Sequence, residues 1–347
     1  MPLTPESIFG EAVKRKASDV HIVVGQPVLV RIDGVLSPLG KDIITAATAQ
    51  SFMQQILRKE AWERFEKERE IDISYAAKDG VRFRVNGHYE RGNVGMVARL
   101  IPEQIPSLEE LGITDIAEHL FNRQSGLILV TGPTGHGKST TLAAMLRHIN
   151  ETQAQSIVTL EDPIEFLFPF GRSVIRQRQF GEDFLSFPEA LKRVLRQDPN
   201  IVMVGEMRDL ETIAAALTLA ETGHLILATL HTPNTVQTID RIVDVFPPHQ
   251  QGQIRTQLSL TLTAIIAQVL VPRMPSGRIA VREIMMNTPA VANIIREDRS
   301  QELQTFLQTG MEQGMQTFEK DAKRLFAEGL IAKETVEMFG RKGGRGE

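Results

Sequence analysis

Nine consecutive residues, Gly132-Pro133-Thr134-Gly135-His136-Gly137-Lys138-Ser139-Thr140, combine glycines, a lysine and hydroxyls at a spacing suited to phosphate chemistry. Glycines let the backbone curl until successive N–H groups point inward at anionic oxygens, and the start of a following helix adds its positive end. Lys138 is then placed to reach the β and γ phosphates of a nucleotide, and the Ser139 hydroxyl to bind Mg²⁺. The motif carries this meaning only between a strand and a helix. Here the apolar run Leu127-Ile128-Leu129-Val130 precedes it and a helical stretch from Lys138 to Ile149 follows. Gly132 to Thr140 are therefore expected to cradle ATP with Mg²⁺, while His136, at a variable position, is expected only to line the loop.

Acidic residues follow two further apolar runs. Ile157-Val158-Thr159-Leu160 leads into Glu161-Asp162-Pro163-Ile164-Glu165, three carboxylates whose mutual repulsion calls for a cation or an arginine. Ile201-Val202-Met203-Val204 leads into Gly205-Glu206-Met207-Arg208-Asp209, with Gly205 where a Walker B strand typically carries its first acid. A division of labour fits these positions: Glu206 organises Mg²⁺ through its water shell, and Glu165 polarises the attacking water. Asp209 reads better as a helix cap. His224 and His231 flank a fourth apolar run, Leu225-Ile226-Leu227-Ala228, at a spacing that matches no zinc motif. His231, at the carboxyl end, is expected to sense the γ phosphate or to signal to a neighbouring subunit.

The elements that must position these residues follow from the same runs. Four apolar strands, several of them separated by helical stretches, imply a doubly wound α/β sheet with its ligands beyond the carboxyl ends of the strands. After Pro248 the spacing of Ile254, Leu258, Leu262, Ile265, Ile266 and Val269 predicts helix, as does the stretch from Phe318 to Phe339. The first hundred residues read as a small α+β unit. Its expected elements are a helix within 3–16, an apolar run at 20–24, a hairpin turning at Asp33-Gly34, a helix across 45–70, and strands 71–75 and 81–85 joined at Asp79-Gly80. Arg82 and Arg84 lie on the face of the last strand opposite its apolar residues. Pro102 and Pro106 bracket an expected linker, giving residues 1–101, a linker over 102–110, and a second domain over 111–347.

Bulk composition narrows the function. A chain of 347 residues exceeds the size at which one core usually keeps growing. Lys and Arg total 39 against 43 Asp and Glu, a net charge of -4 that argues against a dedicated nucleic-acid binder. The absence of cysteine removes disulfides and thiolate chemistry and fits a reducing compartment, with the cytoplasm as the default. Neither a signal peptide nor an apolar run near the ~20 residues of a membrane span is evident, so membrane association is expected to come through a partner. The Gly-rich charged end, residues 341–347, is expected to be a disordered tail.

Gly132 to Thr140, Val158 to Phe166, Val204 to Thr212 and Thr222 to Thr232 resemble, in order and spacing, the Walker A, Asp box, Walker B and His box of secretion ATPases. More narrowly, Ser18-Asp19-Val20-His21, Arg82-Phe83-Arg84-Val85-Asn86 and the stretch from Ile239 to Pro247 look like the type IV pilus retraction ATPases, the PilT and PilU family. The resemblance covers nearly the whole chain. It implies a hexameric ring whose subunits have an N-terminal PAS-like domain and a RecA-like ATPase domain with a helical C-terminal region. ATP hydrolysis would drive pilus disassembly through an inner-membrane platform protein, with a paralogous retraction ATPase as a further expected partner, and so power twitching motility. The same resemblance supports Glu165 and Glu206 in their roles and brings Arg82, Arg84 and, less directly, Arg99 to the nucleotide phosphates. An arginine on developing phosphoryl charge is worth ~10³ to 10⁵ in rate.

One departure concerns a stretch that retraction ATPases need beyond hydrolysis: Ala292 stands here where the family has arginine, although Asn293, Arg296 and Glu297 persist. Val94 to Val97 and Gly314 to Phe318 look like the accessory PilU type, so the subtype stays open. Two other classes compete with the filament motor, a nucleic-acid translocase and a non-catalytic regulatory subunit. The first lacks a basic run before the tail, and the second fits poorly with Lys138, Ser139, Glu165 and Glu206 all present. Glu165→Gln is expected to leave nucleotide binding intact and to cut turnover about 100-fold or more, measured as phosphate release beside ATP binding.

Overall fold

The computed structural model describes all residues except 1–2, 33, 78–79, 102–103, 122 and 341–347. The chain forms two compact units, Met1–Gln104 with Pro163–Leu167, and Ile105–Asp162 with Phe168–Glu347. Asp33 and Asp79 of the expected turns, Pro102 of the expected linker and the expected tail lie outside the described residues.

In the first unit the elements are α1 (Pro5–Lys14), β1 (Asp19–Ile22), β2 (Pro27–Ile32), β3 (Val35–Ile43), α2 (Ala46–Ile56), α3 (Lys59–Glu68), β4 (Glu70–Ala76), β5 (Arg82–Glu90) and β6 (Asn93–Ile101). The strands form one antiparallel sheet in the order β3-β2-β1-β6-β5-β4. Thr4 starts α1 by accepting the Ser7 N–H, with Pro5 in the first turn, and the helix buries Ile8, Phe9 and Ala12. Phe9 stacks on Phe83 at 4.3 Å between ring centres and meets Phe52 edge-on at 5.8 Å, joining helix, sheet and α2 in one core. The single helix expected over 45–70 is instead two, because Leu57 and Arg58 are both extended. Ile56, at the end of α2, and Leu57, in the extended break, are both buried.

The second unit contains α4 (Thr114–Phe121), β7 (Gly126–Thr131), α5 (Lys138–Thr152), β8 (Ser156–Glu161), β9 (Val174–Gln179), α6 (Phe187–Val194), β10 (Ile201–Val204), α7 (Leu210–Glu221), β11 (Leu225–Leu230), α8 (Thr235–Asp244) and α9 (Pro248–Thr261). There follow β12 (Leu262–Pro272), β13 (Arg278–Met286), α10 (Pro289–Arg296), α11 (Leu303–Thr309), α12 (Phe318–Ala327) and α13 (Lys333–Gly340). Strand order is β13-β12-β7-β11-β10-β8-β9, parallel throughout except for β13. The four expected apolar runs are β7, β8, β10 and β11, and every residue of β7, β10 and β11 is buried.

Residues 262–269 are strand, not the continuation of α9. A run buried at every position from Leu262 to Gln268 satisfies helical and extended spacing alike, and here pairing with β7 decides. β13, beside β12, and β9, a largely polar outer strand, were also unforeseen. No helix of the described residues is long and apolar enough to cross a membrane. Phe9→Ala is expected to destabilise the first unit by about 3–5 kcal/mol, seen as an earlier urea transition.

Candidate active site

Chain leaves β7 at the fully buried Thr131 and turns at Gly132, whose φ is +139°. A Cβ at Gly132 would collide with the Gln268 carbonyl oxygen on β12, so only glycine lets the loop start here. The loop ends at the left-handed Gly137, and α5 begins at Lys138 with no side chain capping its first turn. Its orphan N–H groups thus suit an oxyanion. Ser139 and Thr140 occupy that first turn, half-buried.

Lys138 is buried, and its ammonium donates to the carbonyls of Gly132 at 2.7 Å and Pro133 at 3.0 Å. It also lies 3.2 Å from His231 Nδ1, as does the Thr134 hydroxyl. Facing an ammonium, Nδ1 must accept, which places the ring proton on Nε2, 2.9 Å from Glu206 Oε1. The other Glu206 oxygen receives Arg208 Nε at 2.8 Å, and Arg208 lies 4.0 Å from Asp162. Thr134, Lys138, His231 and Glu206 are therefore brought together at the carboxyl ends of β7, β10 and β11.

Neighbouring residues explain this placement. Any side chain at Gly205 would press within 3.2 Å of the Leu160 carbonyl, because β8 and β10 end close together. That crowding accounts for glycine in place of an acid. Beyond His231, the Thr232 and Thr238 hydroxyls meet at 2.6 Å, and α8 starts on Glu283, whose carboxylate accepts the Thr235 N–H and hydroxyl at 3.0 and 2.8 Å. Burial pushes the Glu283 carboxyl above its ordinary range, while the Thr235 bonds favour its ionised form. Asp209 caps α7 through the Thr212 N–H at 2.8 Å, as its position suggested. His224 packs against the Leu219 carbonyl and the Thr222 hydroxyl.

The three acids after β8 separate. Glu161 turns into the sheet, accepting from Thr159 at 2.6 Å and Gln177 at 3.2 Å, while Asp162 is exposed towards Arg208. Glu165 is half-buried in the segment grouped with the first unit. Arg82 and Arg84 also belong to that unit, on β5: Arg82 donates to Ser74 at 2.6 Å, and the exposed Arg84 lies opposite Arg99 of β6. Arg99 is committed to the buried Asp19 at 2.8 Å. Burial raises the Asp19 carboxyl, but hydrogen bonds from Arg99 and Ser18 and the charges of Arg99 and Arg31 outweigh it and hold the group below its usual range.

His136 does more than line the loop. Its Nδ1 accepts the Leu270 N–H at 2.9 Å and its carbonyl accepts Gln268 Nε2 at 2.7 Å, fastening the loop to β12. Gln268 and Glu283 went unnoticed in the sequence because neither β12 nor β13 was expected.

Residues 2–338 match the family described as type II/IV secretion system protein. The chain belongs to that family. It is similar to the type IV pilus retraction ATPase PilT of Pseudomonas aeruginosa, at 43% identity over 325 residues that cover 94% of each chain. It is also similar to the type IV pilus ATPase PilU of the same organism, at 38% identity, covering 95% of this chain and 86% of that one. Among solved structures, the pilus retraction motor PilT with bound ADP superposes with a TM-score of 0.91 at 41% identity, over 96% of both chains. The expected fold class, an N-terminal α+β domain before a P-loop domain with C-terminal helices, stands on these matches.

Burial, then the charges of Lys138 and Arg278, push His136 below its ordinary pKa of about 6.5. Its neutral form accepts the Leu270 N–H, so its contribution to stability is complete above about pH 6.5 and is lost as pH falls through the lowered value. The stability gap between the parent and His136→Ala, measured by urea denaturation, is expected to be widest above about pH 6.5 and to close on the acid side.

Proposed function

We propose that the chain is an ATP-hydrolysing subunit of a hexameric ring that powers type IV pilus retraction and twitching motility. The observation that carries this reading is the convergence of Lys138, His231 and Glu206 on a glycine loop that opens α5. The match to a retraction ATPase over 94% of both chains supports the filament as the load. The domain division proposed is a PAS-like domain over 1–101, a linker over 102–110 and a RecA-like domain over 111–347. The chain would work in the cytoplasm, held at the inner membrane by the pilus platform protein.

In this reading Gly132 to Thr140 bind the phosphates, and Lys138 exchanges His231 Nδ1 for a phosphate oxygen while keeping its loop carbonyls. Ser139 and Glu206 supply oxygen donors of the kind Mg²⁺ prefers, directly and through water. The ion would neutralise charge developing on the phosphates. His231, with its proton held toward Glu206, presents Nδ1 on the Lys138 side and reports which acceptor Lys138 has taken. Glu165 orients the attacking water, and Arg82 and Arg84 add positive charge from the first unit. A PilU-like accessory role is the second reading, favoured by Val94 to Val97 and Gly314 to Phe318; Ala292 on α10 alters a partner-facing helix where Asn293 bonds Glu297 at 3.0 Å and Arg296 is exposed.

Lys138→Ala is expected to lower ATP hydrolysis by about 10²-fold or more, with no stimulation of the parent by DNA. Cells carrying it in place of the parent should keep surplus surface pili and lose twitching. Loss of pili would point to extension or secretion, and DNA-stimulated turnover to translocation.

A further inference from the structure

Gln268 of β12 makes three contacts, two with the phosphate loop and one with the helix that follows it, beside the Leu270 N–H bond to His136. β12 runs beside β7, with Ile266 opposite Val130 and Ala267 opposite Thr131, so the next residues of β12 accompany the chain where it leaves the sheet. At the start of the loop the Gln268 carbonyl lies against Gly132. At its crown the Gln268 side-chain amide donates to the His136 carbonyl at 2.7 Å. On α5 the Thr141 hydroxyl donates to Gln268 Oε1 at 2.9 Å.

Gln268 is 1% exposed and Thr141 is equally buried, so each of these groups depends on the others for its hydrogen bonds. An amide is suited to this place because one end donates and the other accepts. Its own mount is firm: Gln268 pairs across the hairpin with Arg282, whose N–H donates to Asp321 at 2.8 Å and whose guanidinium donates to the Leu111 carbonyl at 2.8 Å.

We infer that Gln268 is a positioning residue for nucleotide phosphate binding, holding the loop's curl against the first turns of α5 so that the N–H groups and Lys138 stay aimed at one place. It need not touch the nucleotide. The inference rests on the reading of Lys138 as the phosphate-binding lysine. Removing the amide leaves the crown of the loop held to β12 only through the Leu270 N–H on His136, while Lys138, Glu206 and His231 stay in the chain.

The test measures affinity of the full chain for a fluorescent ADP analogue, KM and kcat for ATP, and urea denaturation without nucleotide. Gln268→Met keeps the shape and removes both hydrogen bonds. It is expected to weaken ADP binding about ten-fold and to raise KM by a similar factor, with kcat changing less. Thr141→Val, which removes one bond, should show about a three-fold effect in the same direction. A purely structural role would shift the urea midpoint while leaving affinity in the folded protein unchanged, and that result overturns the inference. So does parent-like affinity in Thr141→Val, which decides the matter if Gln268→Met fails to fold. Lys138→Ala, run in parallel, separates the two readings. Undiminished ADP binding there overturns the phosphate-lysine assignment, whereas lost binding there with parent-like Gln268→Met overturns only the role given to Gln268.

Discussion

The close approach of Gly132 to the Gln268 carbonyl is the constraint on which the site depends. Because β7 and β12 are adjacent parallel strands, the chain leaving β7 has β12 for a wall and must curl away from it. The curl turns the carbonyls of Gly132 and Pro133 onto Lys138, and the start of α5 follows. A side chain at position 132 would push the wall and loop apart and disturb each of these relations together. The glycine motif is thus one half of a fit whose other half lies more than a hundred residues later in the chain.

Burial decides which polar contacts of the site are firm. Lys138 is 7% exposed, so its bonds to loop carbonyls form where water does not compete freely, and charge-assisted bonds of this kind are the strong ones. Arg208 is 67% exposed, and an exposed pair such as Arg208 with Glu206 contributes about 0–1 kcal/mol. Glu206 is consequently held loosely from the Arg208 side and oriented by His231 from the other. A carboxylate in that condition can change partners at small cost, which suits the water-shell role proposed for Glu206.

Much of this arrangement was readable in the residues. β7, β8, β10 and β11 announced themselves because strands buried on both faces are apolar without interruption, and the glycine motif named its own context. His231 and Glu206 could be placed because both follow such strands directly. Leu262 to Val269 was misread because a mostly apolar run buried on both faces has no period of its own, and the helical α9 before it supplied a false one. Gln268 was lost with it, being one polar residue in a run otherwise suited to a helix face. β9 was missed because Arg176, Gln177 and Arg178 give an outer strand no apolar signature. The break at Leu57 has neither proline nor glycine to mark it, so nothing in the local sequence announces it.

An ammonium has three N–H groups, and Lys138 has acceptors for all three in Gly132 O, Pro133 O and His231 Nδ1. In the phosphate-binding role proposed for Lys138, a phosphate oxygen would take its bond by displacing one of these acceptors. The two carbonyls belong to the loop that must keep its shape around the phosphates, and losing either would leave a loop carbonyl without its charged donor. His231 is the partner most easily released, because it is 40% exposed and the Thr134 hydroxyl stands 3.2 Å from the same nitrogen. Substitution of Thr134 for Lys138 on Nδ1 preserves the tautomer, so Nε2 continues to donate to Glu206 while the positive charge behind the ring moves away. In that proposal the imidazole would then become a weaker donor, and Glu206 a less restrained carboxylate, when phosphate binds. On the proposed roles, coupling between Lys138 and Glu206 would need no backbone movement, only a change of partner at one ring nitrogen.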